Sequence, residues 1–305
     1  MSYSIFAQAG IDIPSNLPDK KISTIFNVTG LNWEVTQQPL FRDKKTQLEK
    51  VPIVANVRSD NDEILGFVNP RAYKIVQNKD AFDFIDLLPN FTFEKVGMFN
   101  KGKKVYVVGK SDEQIDIDGS GDLVDFYLTF LHGHDGKSGI RFILCPIRMF
   151  CTNQLNLMLD TAKFKYNIAH TGDVTWKLQQ IQKAIAHSRQ YVSSLSDVIT
   201  SMINTKPSMS MQNFVEHLIQ IEDDDSDLVI ARKEVIRDKI ISLYNDKDDL
   251  QNYKGTSFGY LSAVSDYVSH MAPKRMVDKH TINNLFIKNL EGNELIIRSQ
   301  MLLAA

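Results

Sequence analysis

Apolar residues recur along the chain with two different periods, and the change between them divides it. In DKKISTIFNV, residues 19 to 28, Ile22, Ile25 and Phe26 share one helical face and Gly30 follows as a stop, which predicts a short helix. Three segments rich in β-branched and aromatic residues come next: Trp33 to Gln37, Val51 to Arg58 and Ile64 to Val68. With the turn-forming SDNDE between the last two, they predict an antiparallel meander. Asn78 is placed to cap a helix whose Phe82, Ile85, Leu88 stripe ends at Pro89. FTFEKVGMFNKGKKVYVVGK alternates about NKG as a hairpin, and IDIDGSGDL reads as a loop. LVDFYLTFLHGHDGKSGIRFILCPIR forms a second hairpin with HGHDGKSG at its tip, and FCTNQLNLMLD reads as a helix.

Beyond His170 the period becomes helical. Val174, Leu178, Ile181, Ile185, Val192, Leu195, Ile199 and Met202 mark one long amphipathic helix, which NTKPSMS breaks. Further helices run through MQNFVEHLIQI, LVIARKEVIRDKIISLY and GYLSAVSDYVSHM, joined by the acidic connectors EDDDSD and NDKDD. The expected class is α+β: residues 1–170 as an antiparallel sheet with helices, residues 171–305 as an all-helical region for assembly or partner contact.

Composition adds exclusions. With 43% hydrophobic and 24% charged residues, the 305-residue chain can bury a real core. No run approaches the ~18 apolar residues of a membrane span, and the N-terminus lacks the layout of an export signal, so a cytoplasmic protein is expected. Cys145 and Cys151 stand in apolar settings, are too near each other for a secreted framework, and are expected reduced in the core. A net charge of −2, from 35 basic and 37 acidic side chains, advertises no polyanionic partner, so any nucleic-acid site must be a local patch.

The richest stretch is HGHDGKSGIRFILCPIRMFCTNQ, residues 132 to 154. His132, His134, Asp135 and the two cysteines are all ligand types, and His134-Asp135 echoes the HD pair of metal-dependent phosphohydrolases. The spacing opposes a metal centre: Cys145 lies about 20 Å down the strand from the histidines at roughly 3.3 Å per residue. A phosphohydrolase or nuclease would further require Asp118, Asp122 or Asp125 to complete the site. No P-loop, G-x-S-x-G or G-x-G-x-x-G after a strand is present, and DGSGD is a flexible acidic loop whose aspartates repel phosphate. His170, His187, His217, His270 and His280 sit on or beside expected helices with no second ligand at i+4, in surface or capping roles. Basic clusters remain: Lys20 with Lys21, Arg42 with Lys44 and Lys45, Lys101 with Lys103 and Lys104, Arg141, Arg148, and Lys163 with Lys165. Such clusters at turns are usually just solvated. Arg141 and Arg148 differ, because apolar strand neighbours surround them and a half-buried arginine wants a carboxylate or a phosphate.

HDGKSG followed by PIRMFCTNQL, with LGFVNPRAYKIVQNKDAFDF, FEKVGMFNKGKKVYVVGK, IAHTGD and GTSFGYLSAVSDYVSH, resembles a phage- and plasmid-borne family of unknown function across most of residues 22 to 271. The opening KKISTIFNVTGLNWEV and VPIVANVRSDNDEILGFV resembles Rad-type single-strand annealing proteins, which form rings or filaments and hold single-stranded DNA in a basic groove. That resemblance implies DNA contacts from Lys20 and Lys21 before the first helix, and from Arg148 and Asn153 near a later central helix. The combined expectation is a homo-oligomeric single-stranded DNA-binding and annealing protein without covalent catalysis or cofactor. Its DNA-contacting set is Lys20, Lys21, Arg42, Lys101, Lys103, Lys104, Arg141, Arg148, Asn153, Lys163 and Lys165. Two other classes compete: the metal-dependent phosphohydrolase or nuclease at HGHDG, and a host-directed factor that blocks defence machinery by binding a protein partner, which the neutral charge favours.

Overall fold

The computed structural model describes residues 10–45, 47–87, 91–117, 121–148, 153–154, 165–173, 188–270 and 293–304. Asp118, Cys151, Lys163, His187, His280 and the expected helical stretch 174–187 lie outside the described residues, as do the side chains of Asp122, Cys145, Arg148, Asn153 and Lys165. The chain is an α+β protein with two antiparallel sheets and its later part helical.

A three-stranded sheet of β2 (Val35–Lys44), β3 (Gln47–Arg58) and β4 (Ile64–Val68) follows α1 (Ile22–Thr29). The larger sheet runs in the order β1 (Ile11–Asp12), β5 (Phe91–Phe99), β6 (Lys104–Ile117), β7 (Asp122–Gly133), β8 (Ile140–Arg148) and β10 (Lys165–Ile168). The two-residue β9 (Asn153–Gln154) also pairs with β8. Helix α1 turns Ile22, Ile25 and Phe26 into the core and ends at Gly30 in the left-handed conformation (φ 73°), as the pattern predicts.

Two expectations are corrected. Asn153 and Gln154 stand on a strand rather than a helix, because their backbone completes the ladder at the end of β8 opposite Arg148 and Ile147. Asn78 opens α2 (Asn78–Phe82) without capping it; the amide is buried and spent on other partners, and the helix tightens into a 3₁₀ turn over Asp83–Leu87.

On β7, Val124, Phe126, Leu128 and Phe130 alternate onto the face that meets α1 and α2 in one apolar cluster. Leu195 and Ile199 of α3 (Ser188–Asn204), Phe258 and Leu261 of α6 (Ser257–His270) and Ile296 of α7 (Glu294–Ala304) join that cluster, so side chains from both sides of residue 170 share a core. Phe214 of α4 (Met211–Leu218) and Ile240 of α5 (Asp227–Asp246) pack with Tyr260 and Val264 in a second cluster. Helix α6 therefore works on two sides, and its buried Asp266 is compensated by Lys247 at 2.6 Å. No described helix is long and apolar enough to cross a membrane.

Candidate functional site

The alternation that buries Val124 to Phe130 continues through His132 and His134, which explains why both imidazoles are fully buried. Strand register brings in a third. Ile168 pairs with Ile140 and Ile140 with His132, so the chain just past β10 carries His170 alongside. His132 lies 4.2 Å from His134 and 5.1 Å from His170, centroid to centroid, and Tyr73 stacks on His170 at 4.8 Å. His170 is thus a buried member of a histidine cluster, not a surface or capping residue. The missed signal was pairing register, which helical spacing does not contain.

Each imidazole ties a different segment to the hairpin tip. His132 Nε2 donates to the Val76 carbonyl (2.9 Å) and His170 Nδ1 to the Lys74 carbonyl (3.2 Å). The Asn78 Nδ2 donates to the Leu31 carbonyl (3.1 Å), which leaves its Oδ1 to accept from His134 Nε2 (2.8 Å). Asn56 Nδ2, also buried, donates to the His134 carbonyl (3.0 Å). Burial holds all three imidazoles neutral: His134 is pushed down to about 3, with His170 adding to the effect, and His132 and His170 also move downward.

Asp135 is engaged within its own turn, accepting from the Lys137 and Ser138 amides and the Ser138 hydroxyl. Burial works to raise its carboxyl, but these donors outweigh it and the group lies below the usual carboxylate range. Gly66 of β4 lies so close to this turn that a Cβ there would collide with the Asp135 carbonyl. The tip therefore clasps the edge of the smaller sheet through its backbone, and Val76 and Asn78 through the Nε2 atoms of its histidines, while the buried Nδ1 atoms of His132 and His134 have no hydrogen-bond partner among the described residues.

The carboxylates that a hydrolytic centre would need stand elsewhere. Asp125 is seven residues along β7 from His132, roughly 23 Å at 3.3 Å per residue. It is fully buried and held by Lys110 and Gln114, both at 2.6 Å. Asp122 lies farther still, opposite Ile117. Among the described residues no group of three or more His, Cys, Asp or Glu is placed to hold a metal ion.

The basic residues divide. Lys20 and Lys21 are exposed at the start of α1, with Asp19 and Asp86 beside Lys21. Arg42 and Lys44 both pair with Glu49, at 2.8 and 3.5 Å, near the β2–β3 tip. Lys104 faces Asp135 at the start of β6. Half-buried Arg141 lies between Leu131 and Asn167 in the ladder, while Arg148 pairs in register with Asn153, and Lys165 with Ile143.

Lys101 and Lys103 are brought together on a cavity of about 740 Å³, whose walls include Ile11, Leu31 and Met98. Lys101 pairs with Glu63 at 3.2 Å, whereas half-buried Lys103 has no ion pair among the described residues. Arg58, which the sequence reading passed over, fixes this turn. Its buried guanidinium lies 4.4 Å over Trp33, bonds Asp60 through two nitrogens and donates to the Lys101 carbonyl at 2.8 Å. The Lys103 carbonyl in turn accepts from the His134 amide at 2.8 Å, so clasp and cavity wall share a hydrogen bond.

The described residues thus form an antiparallel α+β core with a buried histidine clasp and a cavity that Lys101, Lys103 and Glu63 help to line. The chain belongs to the family described as a domain of unknown function (DUF932), whose model matches residues 65–286. No curated protein and no solved structure matches it.

Proposed function

We propose that the protein binds single-stranded nucleic acid non-covalently, as an oligomeric annealing factor of phages or plasmids in the host cytoplasm. One observation carries this reading. Lys103 is a half-buried cation with no ion pair among the described residues, in the wall of a largely apolar cavity large enough for a nucleotide unit. A nucleotide joins an anionic phosphate to a flat, weakly polar base. Lys103 supplies the charge, since Lys101 is paired with Glu63 in the same wall, and Ile11, Leu31 and Met98 supply surface for the base. Lys20 and Lys21, exposed at the start of α1, are further phosphate contacts on this reading. Nothing in this chemistry requires a bond to be made or broken.

The test is binding of a fluorescent single-stranded oligonucleotide over a salt series. Each neutralised phosphate contributes a slope of about −0.7 in log affinity against log salt. Lys103→Ala is expected to weaken binding and flatten the slope by about that amount. Wild-type protein that binds no oligonucleotide at low salt would refute the reading. A Lys103→Ala protein with unaltered affinity and slope would remove the cavity from it.

A further inference from the structure

The cavity that holds Lys103 also holds a carboxylate. Glu63, Thr29, Asn100 and Lys101 are the other polar side chains in its wall, and glycine and apolar residues make up the rest. Glu63 is set there by the turn between β3 and β4: its amide donates to the Asn61 side chain at 3.1 Å, and its carbonyl accepts from the Arg58 amide at 3.0 Å. The same Arg58 holds the Lys101 carbonyl, so one residue positions both the turn of the carboxylate and the turn of the lysines.

The hydrogen-bonding capacity of this wall is uneven. The Glu63 carboxylate, 29% exposed, spends Oε2 on Lys101 at 3.2 Å, and its Oε1 has no hydrogen bond among the described residues. Thr29 gives its hydroxyl proton to the Ile25 carbonyl at 2.7 Å, so it too can only accept. Asn100 offers an amide that donates and accepts alike. A ligand that covers Glu63 without bringing it a proton leaves a carboxylate oxygen shut off from water and unpaired, which is costly. A phosphate brings none, and it belongs with Lys103. The donor must come from the base.

Bases differ in this respect. Cytosine, adenine and guanine each carry an exocyclic amino group, and a glutamate is a fitting acceptor for the amine of cytosine. Uracil and thymine have a single N–H flanked by two carbonyl oxygens, so their edge sets an oxygen against the carboxylate. Asn100 does not tell the two groups apart, because its amide can turn to suit both. We propose that the cavity takes a base bearing an amino group and rejects uracil and thymine, and that Glu63 is the residue that discriminates. The proposal rests on the strand-binding reading and goes past it, since Lys103 and the apolar wall serve every base alike.

Equal-length oligo(dC) and oligo(dU), whose bases differ only in the amine or carbonyl at C4 and the proton at N3, test it by competition for the full chain at neutral pH and fixed salt. Wild type is expected to favour oligo(dC) by about tenfold, the size of one hydrogen bond to a charged group. Glu63→Gln, which exchanges an acceptor-only group for an amide, should bring the ratio close to one. The ratio is the readout because both strands carry the same phosphates, so the charge that this substitution frees on Lys101 acts on both. Asn100→Gly, which suits the left-handed backbone there (φ 46°), should leave the ratio in place. Equal affinities for the two strands, with the salt slope still dependent on Lys103, would overturn the base preference and leave strand binding standing. A Glu63→Gln protein that keeps the wild-type ratio, or an Asn100→Gly protein that loses it, would overturn the role of Glu63. Wild type that binds neither strand removes strand binding and the preference together.

Discussion

Lowering the pH from 7 to 5 tests the histidine clasp directly, because the folded protein refuses protons that the unfolded chain accepts. An ordinary histidine takes up its proton near 6.5, whereas burial pushes His134 down to about 3 and moves His132 and His170 the same way. Between those values the unfolded state binds more protons, so stability is fully present above 6.5 and is lost as the pH falls toward the folded value. For His134 alone the loss at pH 5 is about 2 kcal/mol, against a total of roughly 5–15 kcal/mol for an ordinary domain. His132, entirely buried and more strongly shifted by burial than by its neighbours, adds to this in the same window. Urea denaturation at several pH values between 7.5 and 5 measures the slope. His134→Gln, whose amide can still donate to Asn78, should lower the absolute stability yet flatten the slope by up to about 1.4 kcal/mol per pH unit. A wild-type stability that is level from pH 7 to 5, or a His134→Gln protein with the wild-type slope, would refute the neutral buried cluster.

Other expectations follow from single contacts. Lys110→Ala should cost about 3–5 kcal/mol by leaving the fully buried Asp125 carboxylate without its cation, read as a fall in melting temperature, and adding Asp125→Asn to that chain should restore part of the loss. Asn56→Ala should cost about 1–3 kcal/mol by orphaning the buried His134 carbonyl, read by urea denaturation. Gly66→Ala should destabilise the clasp, since its Cβ meets backbone at Asp135 that cannot rotate away; faster amide exchange across residues 133 to 138 is the readout.

Much of the architecture is legible in the sequence because short-range periodicity decides it. The Ile22, Ile25, Phe26 stripe, the NKG turn and the alternation of β7 each specify an element without reference to distant partners. The same reading errs where distant partners decide. Asn78 has the chemistry of a cap, yet a buried amide is worth more to the Leu31 carbonyl and His134 than to its own helix. Asn153 and Gln154 lie in a run with helical composition, and the free edge of β8 recruits them. Charge is legible as composition but not as pairing: Arg42 and Lys101 look alike in the sequence to Lys103, and only the fold gives the first two a glutamate each.

The three imidazoles of the clasp are poorly placed for proton transfer. A general base must exchange its proton at working pH, and an imidazole held neutral by burial with one nitrogen committed to a carbonyl does so poorly. Burial also keeps His134 uncharged above the acid range, so it offers a phosphate no countercharge. Their engaged groups instead point at structure: Val76, Lys74 and Asn78 on one side, the Lys103 carbonyl on the other. Because the His134 amide bonds Lys103 while Arg58 bonds Lys101, the clasp and the guanidinium together set where the two cavity lysines stand. Loosening the clasp with acid should thus disturb the Lys103 wall before the α4–α5 cluster, whose Ile240 and Phe214 pack without any of the three histidines.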